Sequence, residues 1–179
     1  MIRVSQPVNH PPKHFETPLQ GKIYAELAKL GINYLRVSCD PAITIEDCEA
    51  IAQRLQAPVV KTLFLANRQL TRFHLLTMPG HKPFVTKDFS KALGVSRVSF
   101  VSPEIMMEML STPVGGASPL SVFADVDGKI QSVIDSELFS MPEIVFPDTT
   151  ITNYLLAPAA EIINRVLPAA GHTPVVANL

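Results

Sequence analysis

Apolar residues recur at Ile23, Leu27 and Leu30, the spacing of one helical face, and Gly31 follows them; the pattern predicts a helix over 18–30. Ile32 to Val37 reads as a short strand. Thr44, with Asp47 three residues later, makes a capping-box-like start to a second helix that runs to about Leu55. Strands are expected over 59–66 and 71–77. Thr86 caps a helix ending near Leu93-Gly94, Arg97 to Val101 is a strand, and Ser102-Pro103 opens a helix with proline at its first position. The runs 120–126 and 129–135, on either side of Asp127-Gly128, read as a hairpin. A strand near 151–156 precedes a last helix, Pro158 to Ala170, closed by Gly171. Residues 1–17, with Pro7, Pro11 and Pro12, read as an extended arm, and 18–179 as one domain. Helices are mixed with short strands, several close enough in sequence to pair antiparallel. The expected class is α+β (mixed α/β), with a mixed, largely antiparallel sheet flanked by helices.

Within the strand 59–66 one residue breaks the apolar pattern. Lys61 shares a face with Val59, Leu63 and Leu65, because side chains alternate along a strand. An ammonium there must snorkel outward, find a partner, or line a pocket that holds an anion.

Composition narrows the class. The chain has 179 residues, 47% of them apolar, which fits one globular domain with a sizeable core. No apolar run approaches membrane-spanning length and the N-terminus lacks a signal-peptide core, so a cytoplasmic location without membrane attachment is expected. Cys39 and Cys48 match no metal or redox spacing and the five histidines are scattered; no metal site and no cofactor are expected. There is no glycine-rich nucleotide loop and no Gly-x-Ser-x-Gly elbow. The net charge of −1 conceals two blocks. Residues 54–97 hold eight basic residues, including Arg68, Arg72, Lys82 and Lys87, against the single acid Asp88, whereas 98–179 hold nine acids against Lys129 and Arg165. Such a basic block either forms a polyanion-binding face or is interleaved with the acids on folding. The sequence pI of about 6.5 argues against strong non-specific nucleic-acid binding.

The second marker is Pro113-Val114-Gly115-Gly116-Ala117-Ser118-Pro119. Two glycines allow close backbone approach, and a turn of this kind can aim the N–H groups of Gly116, Ala117 and Ser118 at a carbonyl oxygen or its oxyanion. Taken with Lys61-Thr62-Leu63-Phe64-Leu65, the run Lys91 to Glu104, Asp125, and Val133-Ile134-Asp135-Ser136-Glu137-Leu138, the chain resembles the YbaK/ProX-type aminoacyl-tRNA editing family over roughly residues 20–172, closer to its ProX-like Ala-tRNA(Pro) deacylases.

The resemblance implies a trans-editing hydrolase acting on mischarged tRNA. Lys61 would be the pocket lysine that contacts the acceptor end, Gly115, Gly116, Ala117, Ser118 and Pro119 the substrate-binding loop, and prolyl-tRNA synthetase a partner. One departure is visible: where ProX-like members often carry His-Pro followed by Asn-Thr, this chain reads Phe146-Pro147-Asp148-Thr149-Thr150. The chain offers no convincing Ser-His-Asp or Cys-His set, so Ser118 is expected to orient water or substrate and not to attack. Asp125 and Asp135 are candidates for holding Lys61 or shaping the pocket, and Arg68, Arg72, Lys82 or Lys87 for meeting tRNA phosphates. The alternatives are a non-catalytic module of the same fold that binds an aminoacyl-adenosine-like ligand or tRNA, and a structural partner of a synthetase.

Overall fold

The computed structural model describes residues 2–179 and places eight strands and four principal helices around two sheets. Helix α1 (Pro18–Lys29) starts where the Thr17 side chain accepts from Gln20 N–H, and buries Leu19, Ile23, Tyr24 and Leu27. Helix α2 (Ile45–Leu55) has the complete Thr44/Asp47 capping box. Helix α3 (Thr86–Leu93) is not capped by Thr86 as expected, since Val85 holds the cap position without a side-chain bond and Thr86 is the first helical residue; it ends at Gly94 in the left-handed region, and α4 (Pro103–Leu110) is capped by Ser102.

Strands β1 (Leu35–Ser38), β7 (Asn153–Pro158) and β6 (Glu143–Pro147) form an antiparallel sheet in the order β1-β7-β6. The second sheet runs β4 (Val98–Phe100), β2 (Val60–Asn67), β3 (Phe73–Pro79), β5 (Ile130–Asp135), β8 (Val175–Ala177). Its β4-β2-β3 part is antiparallel, whereas β5 pairs parallel with β3 and with β8. The sheets meet where Val59 bridges Val145 and Val145 N–H donates to the Pro58 carbonyl at 3.0 Å. The N-terminal arm is extended and docked: Val4 and Val8 bridge Cys39 and Arg36, adding an irregular edge beside β1.

Three further expectations are corrected. The hairpin across Asp127-Gly128 does not form. Residues Pro119–Ala124 make a 3₁₀ helix, capped by Ser118 and burying Leu120, Val122 and Phe123 in the main core. Pro119 suits a helix start and lacks the N–H a central strand would need, so only the second half of that pattern becomes a strand. β6 and β8 were not predicted, because both are short and β6 ends in proline. The last helix is not uniform: Ala159–Glu161 and Leu167–Ala169 are α, and Ile162–Val166 between them is a π turn. Pro168 removes an N–H and crowds the carbonyl four residues back, and a widened turn relieves both.

Candidate functional site

The site begins at a gap in the β2 ladder. β2 pairs with β3 along nearly its whole length, but β4 takes only Leu65, Ala66 and Asn67. Beyond them Val101 N–H reaches the Phe64 carbonyl at 3.1 Å, and the other sheet joins at the start of the strand, where Val59 bridges Val145 and the Pro58 carbonyl accepts from Val145 N–H. Alternate residues of an antiparallel strand turn their main-chain groups the same way, so Thr62, like Phe64, presents N–H and C=O to this open edge. A cavity of about 500 Å³ runs along the gap, lined by Val59 through Phe64, by Phe100, Val101 and Met106, and by Val114, Gly115 and Ala117 of the glycine loop. Cys48, Pro103, Pro147 and Tyr154 complete it. A second hollow of about 490 Å³, lined by Ile43, Ala52, Pro58, Gly80 and His81 among others, shares Cys48, Val59, Val60 and Lys61 with the first. A larger open groove of about 660 Å³ lies between the arm and α2 and is lined by no acid or histidine.

Lys61 stands where the two hollows meet. It is half-buried, and burial lowers its pKa from the ordinary lysine value. Its Nζ donates to the carbonyl of Lys82, and among the described residues no carboxylate lies within ion-pair distance. Lys82 is itself fixed: its Nζ lies 2.9 Å from fully buried Asp135 and 3.3 Å from Glu137, and the hydrogen bond to Asp135 raises its pKa. Asp135 also accepts from Glu137 N–H at 3.0 Å. Asp135 thus reaches Lys61 at one remove, by fixing the residue whose carbonyl holds it.

The loop contributes less than its full set of N–H groups. Gly116 N–H donates to the Pro113 carbonyl at 2.9 Å and Ser118 N–H to Ser121 Oγ at 3.1 Å. Of the three amides the sequence pointed to, only Ala117 N–H has no partner among the described residues. Ser118 is fully buried and its Oγ accepts from Leu120 N–H at 3.0 Å, which makes it a helix cap. Pro119 is likewise buried in that helix. Gly115 has φ +90°, which favours glycine. A Cβ on Gly116 would sit 3.0 Å from the Thr149 carbonyl and 3.2 Å from Thr112 Cγ2.

Thr149 is a β-branched residue at φ +81°, an uncommon conformation that its surroundings must enforce. Asp148 does so. One carboxylate oxygen accepts from Gln20 Nε2 (2.8 Å) and Tyr24 OH (2.7 Å), the other from Thr150 N–H (3.2 Å) and Thr150 Oγ1 (2.7 Å). Burial raises the Asp148 pKa, against the pull of these four donors. The acid ties α1 to the turn on which the glycine loop rests. Phe146, where the resemblance led us to look for histidine, is fully buried in the core, whereas Pro147 lines the cavity.

Asp125, Arg68 and Arg72 lie outside the cavity. Asp125 accepts from Lys129 N–H (2.9 Å) and Ile130 N–H (2.8 Å) and faces His172 at 3.4 Å, closing the turn into β5. Arg68 and Arg72 are exposed around the β2–β3 turn, at the opposite end of β2 from Lys61. Burial raises the pKa of Cys48, and that of Cys39 to about 12, so neither thiol is a ready thiolate. Among the described residues no group of three His, Cys, Asp or Glu side chains could hold a metal ion, and no helix is long and apolar enough to cross a membrane. Sequence reasoning missed Cys48, Phe100, Met106, Tyr154 and Gly80. Only the Pro79-Gly80 pair carried a local signal.

Comparison with known proteins places this architecture. The aminoacyl-tRNA editing domain family matches residues 39–162, and the chain belongs to that family. The prolyl-tRNA editing protein ProX of Acetoanaerobium sticklandii is 26% identical over 152 residues, covering 84% of this chain and 92% of that one. The prolyl-tRNA synthetase associated domain-containing protein 1 of Mus musculus is 29% identical over 165 residues, covering 89% and 96%. A crystal structure of a provisionally assigned trans-editing enzyme for prolyl tRNA synthetase superimposes with a TM-score of 0.69 at 18% identity, covering 92% and 98%, which shows the shared fold.

Proposed function

We propose that this chain is a trans-editing hydrolase that deacylates mischarged aminoacyl-tRNA, with Ala-tRNA(Pro) the first substrate to test. The observation that carries the reading is Lys61: a half-buried ammonium, without a carboxylate partner among the described residues, at the junction of two hollows. Such a group favours an anion, and the tRNA acceptor end supplies phosphate and, during ester hydrolysis, an oxyanion. Family membership and the ProX relative supply the reaction class.

The chemistry required is modest. An aminoacyl ester is already activated; water adds to its carbonyl carbon, the oxygen becomes an oxyanion, and the carbon–oxygen bond to the ribose breaks. The ribose oxygen leaves as a hydroxyl with a proton that water gave up. Ala117 N–H is the loop donor placed to meet the oxyanion, and Lys61 offsets negative charge at the acceptor end. The open edge at Thr62 adds a carbonyl that can accept from the substrate's ammonium. Ser118 has no part as nucleophile in this scheme, because its hydroxyl is buried and occupied as a cap. Editing in trans answers a binding problem: a synthetase pocket sized for proline rejects smaller alanine by only about 1–3 kcal/mol per missing methylene. Arg68, Arg72 and Lys87, all exposed, are assigned to tRNA phosphates; Lys82 is not, since Asp135 and Glu137 occupy it.

A second reading is favoured by one observation: no carboxylate or imidazole lines the 500 Å³ cavity, and Glu49 and His81 line the adjoining hollow instead. The chain would then bind the aminoacyl-adenosine end without hydrolysing it. Incubation with alanyl- and cysteinyl-tRNA(Pro), reading free amino acid released, separates the two. Catalytic release above the spontaneous rate supports the hydrolase; tight binding with no release supports the binding module.

A further inference from the structure

We propose that Phe100 is a stacking platform for a nucleobase of the single-stranded tRNA acceptor end, an inference that rests on the tRNA substrate proposed above. Phe100 is the last residue of β4 and is 62% exposed, although aromatic side chains usually bury much of their area. It stands directly opposite Leu65 on β2. Opposed residues share a sheet face, and so do residues two and four apart, so Phe100, Leu63 and Lys61 project to the same side. Phe100 and Lys61 both line the 500 Å³ cavity. Lys61 lies four residues before Leu65, about 13 Å along the strand. A cation at one end of such a track and an aromatic face at the other suit a nucleotide, with phosphate near the first and base on the second.

The ring is also held in place. Phe84 packs edge-on against it, with centroids 5.7 Å apart and planes at 69°, and Phe84 in turn packs against buried Phe89 at 5.9 Å. Phe100 is therefore fixed on one side and open on the other. Every base offers a π-face, so stacking needs no sequence-specific hydrogen bonds. No acid lines this cavity; Glu49 lies in the adjoining hollow.

The test uses an RNA hairpin with a single-stranded 3′ tail carrying 2-aminopurine, whose fluorescence falls on stacking, together with the same RNA charged with alanine. Wild type and Phe100→Tyr are expected to quench the probe. Phe100→Ala should not, and its Kd and KM should rise on the order of 10- to 100-fold, with the effect falling on KM rather than on kcat. Phe100→Leu keeps an apolar contact with Phe84 but removes the π-face, so it carries the test should the alanine variant prove unstable. An abasic nucleotide in place of the stacked base should weaken wild type but not Phe100→Ala, because both changes remove one contact. Deacylation by wild type with full quenching and unchanged KM in Phe100→Ala and Phe100→Leu would overturn the platform and leave the hydrolase reading intact. Wild type that neither binds nor deacylates would overturn the hydrolase reading, and this one with it.

Discussion

Gly80 gives the sharpest test of how Lys61 is positioned. A Cβ added there would lie 2.3 Å from the Val59 carbonyl oxygen, whereas real Cβ contacts essentially never fall below 3.0 Å. Something must move by at least about 0.7 Å, and the obstructing atom is backbone. Val59 cannot yield easily, since it bridges Val145 where the two sheets join. Both sides of the clash lead to the Lys61 hydrogen bond: Val59 is two residues before Lys61, and Gly80 is two residues before Lys82, whose carbonyl accepts from it. Gly80→Ala should cost about 1–3 kcal/mol of stability, the usual range for overpacking. For a chain of this length that is about 2–12 °C in thermal midpoint. Displacement of the reacting groups by about 1 Å can cost on the order of 100-fold in rate, so release of alanine from Ala-tRNA(Pro) should fall by that order. Gly94→Ala is the control: its φ of +65° makes alanine unfavourable, but nothing lies within 4 Å, so it should lose stability alone. A Gly80→Ala enzyme with wild-type turnover and midpoint would refute this account of how the lysine is held.

Lys61→Ala should lower deacylation at least about tenfold with little change in midpoint, since a half-buried surface-reaching lysine adds little packing; wild-type rates would sink its assigned role. Gly116→Val should abolish turnover, because its side chain must displace the Thr149 carbonyl, Thr112 and Pro113 together. Ser118→Ala should instead cost about 1 kcal/mol as a lost helix cap while retaining most activity; a Ser118→Ala variant as inactive as Gly116→Val, or a trapped acyl-enzyme on Ser118, would point to covalent catalysis. Burial holds the His74 pKa below its ordinary 6.5, so the unfolded chain takes up the proton first as pH falls. Stability present above about pH 6.5 should then decline below it, and His74→Phe should flatten that decline in urea titrations. Each phosphate contact made by Arg68, Arg72 or Lys87 should add about 0.7–0.9 to the slope of log K against log salt, and charge-removing substitutions should reduce that slope.

The local signals were legible in the sequence because they are encoded locally. The Thr44/Asp47 capping box, proline at the first position of α4, Gly94 after α3 and the β-branched and aromatic run of β2 each depend on residues within a few positions. The family resemblance, with Lys61 and the 115–119 loop in it, is likewise carried by contiguous residues. What each residue does once folded was decided by contacts across the chain. Asp125 and Asp135 look alike in sequence, yet one closes a turn and the other fixes Lys82 from 53 residues away. Phe100 reads as an ordinary strand residue, and only the early end of β4 leaves it facing the cavity. The run 120–126 carries an apolar pattern compatible with a strand, but Ser118 and Pro119 start a helix and the core accepts its apolar side. Periodicity is set by neighbours in the chain; the open edge at Thr62, the occupied amides of Gly116 and Ser118, and the clash awaiting a Cβ on Gly80 are set by partners that no local window contains.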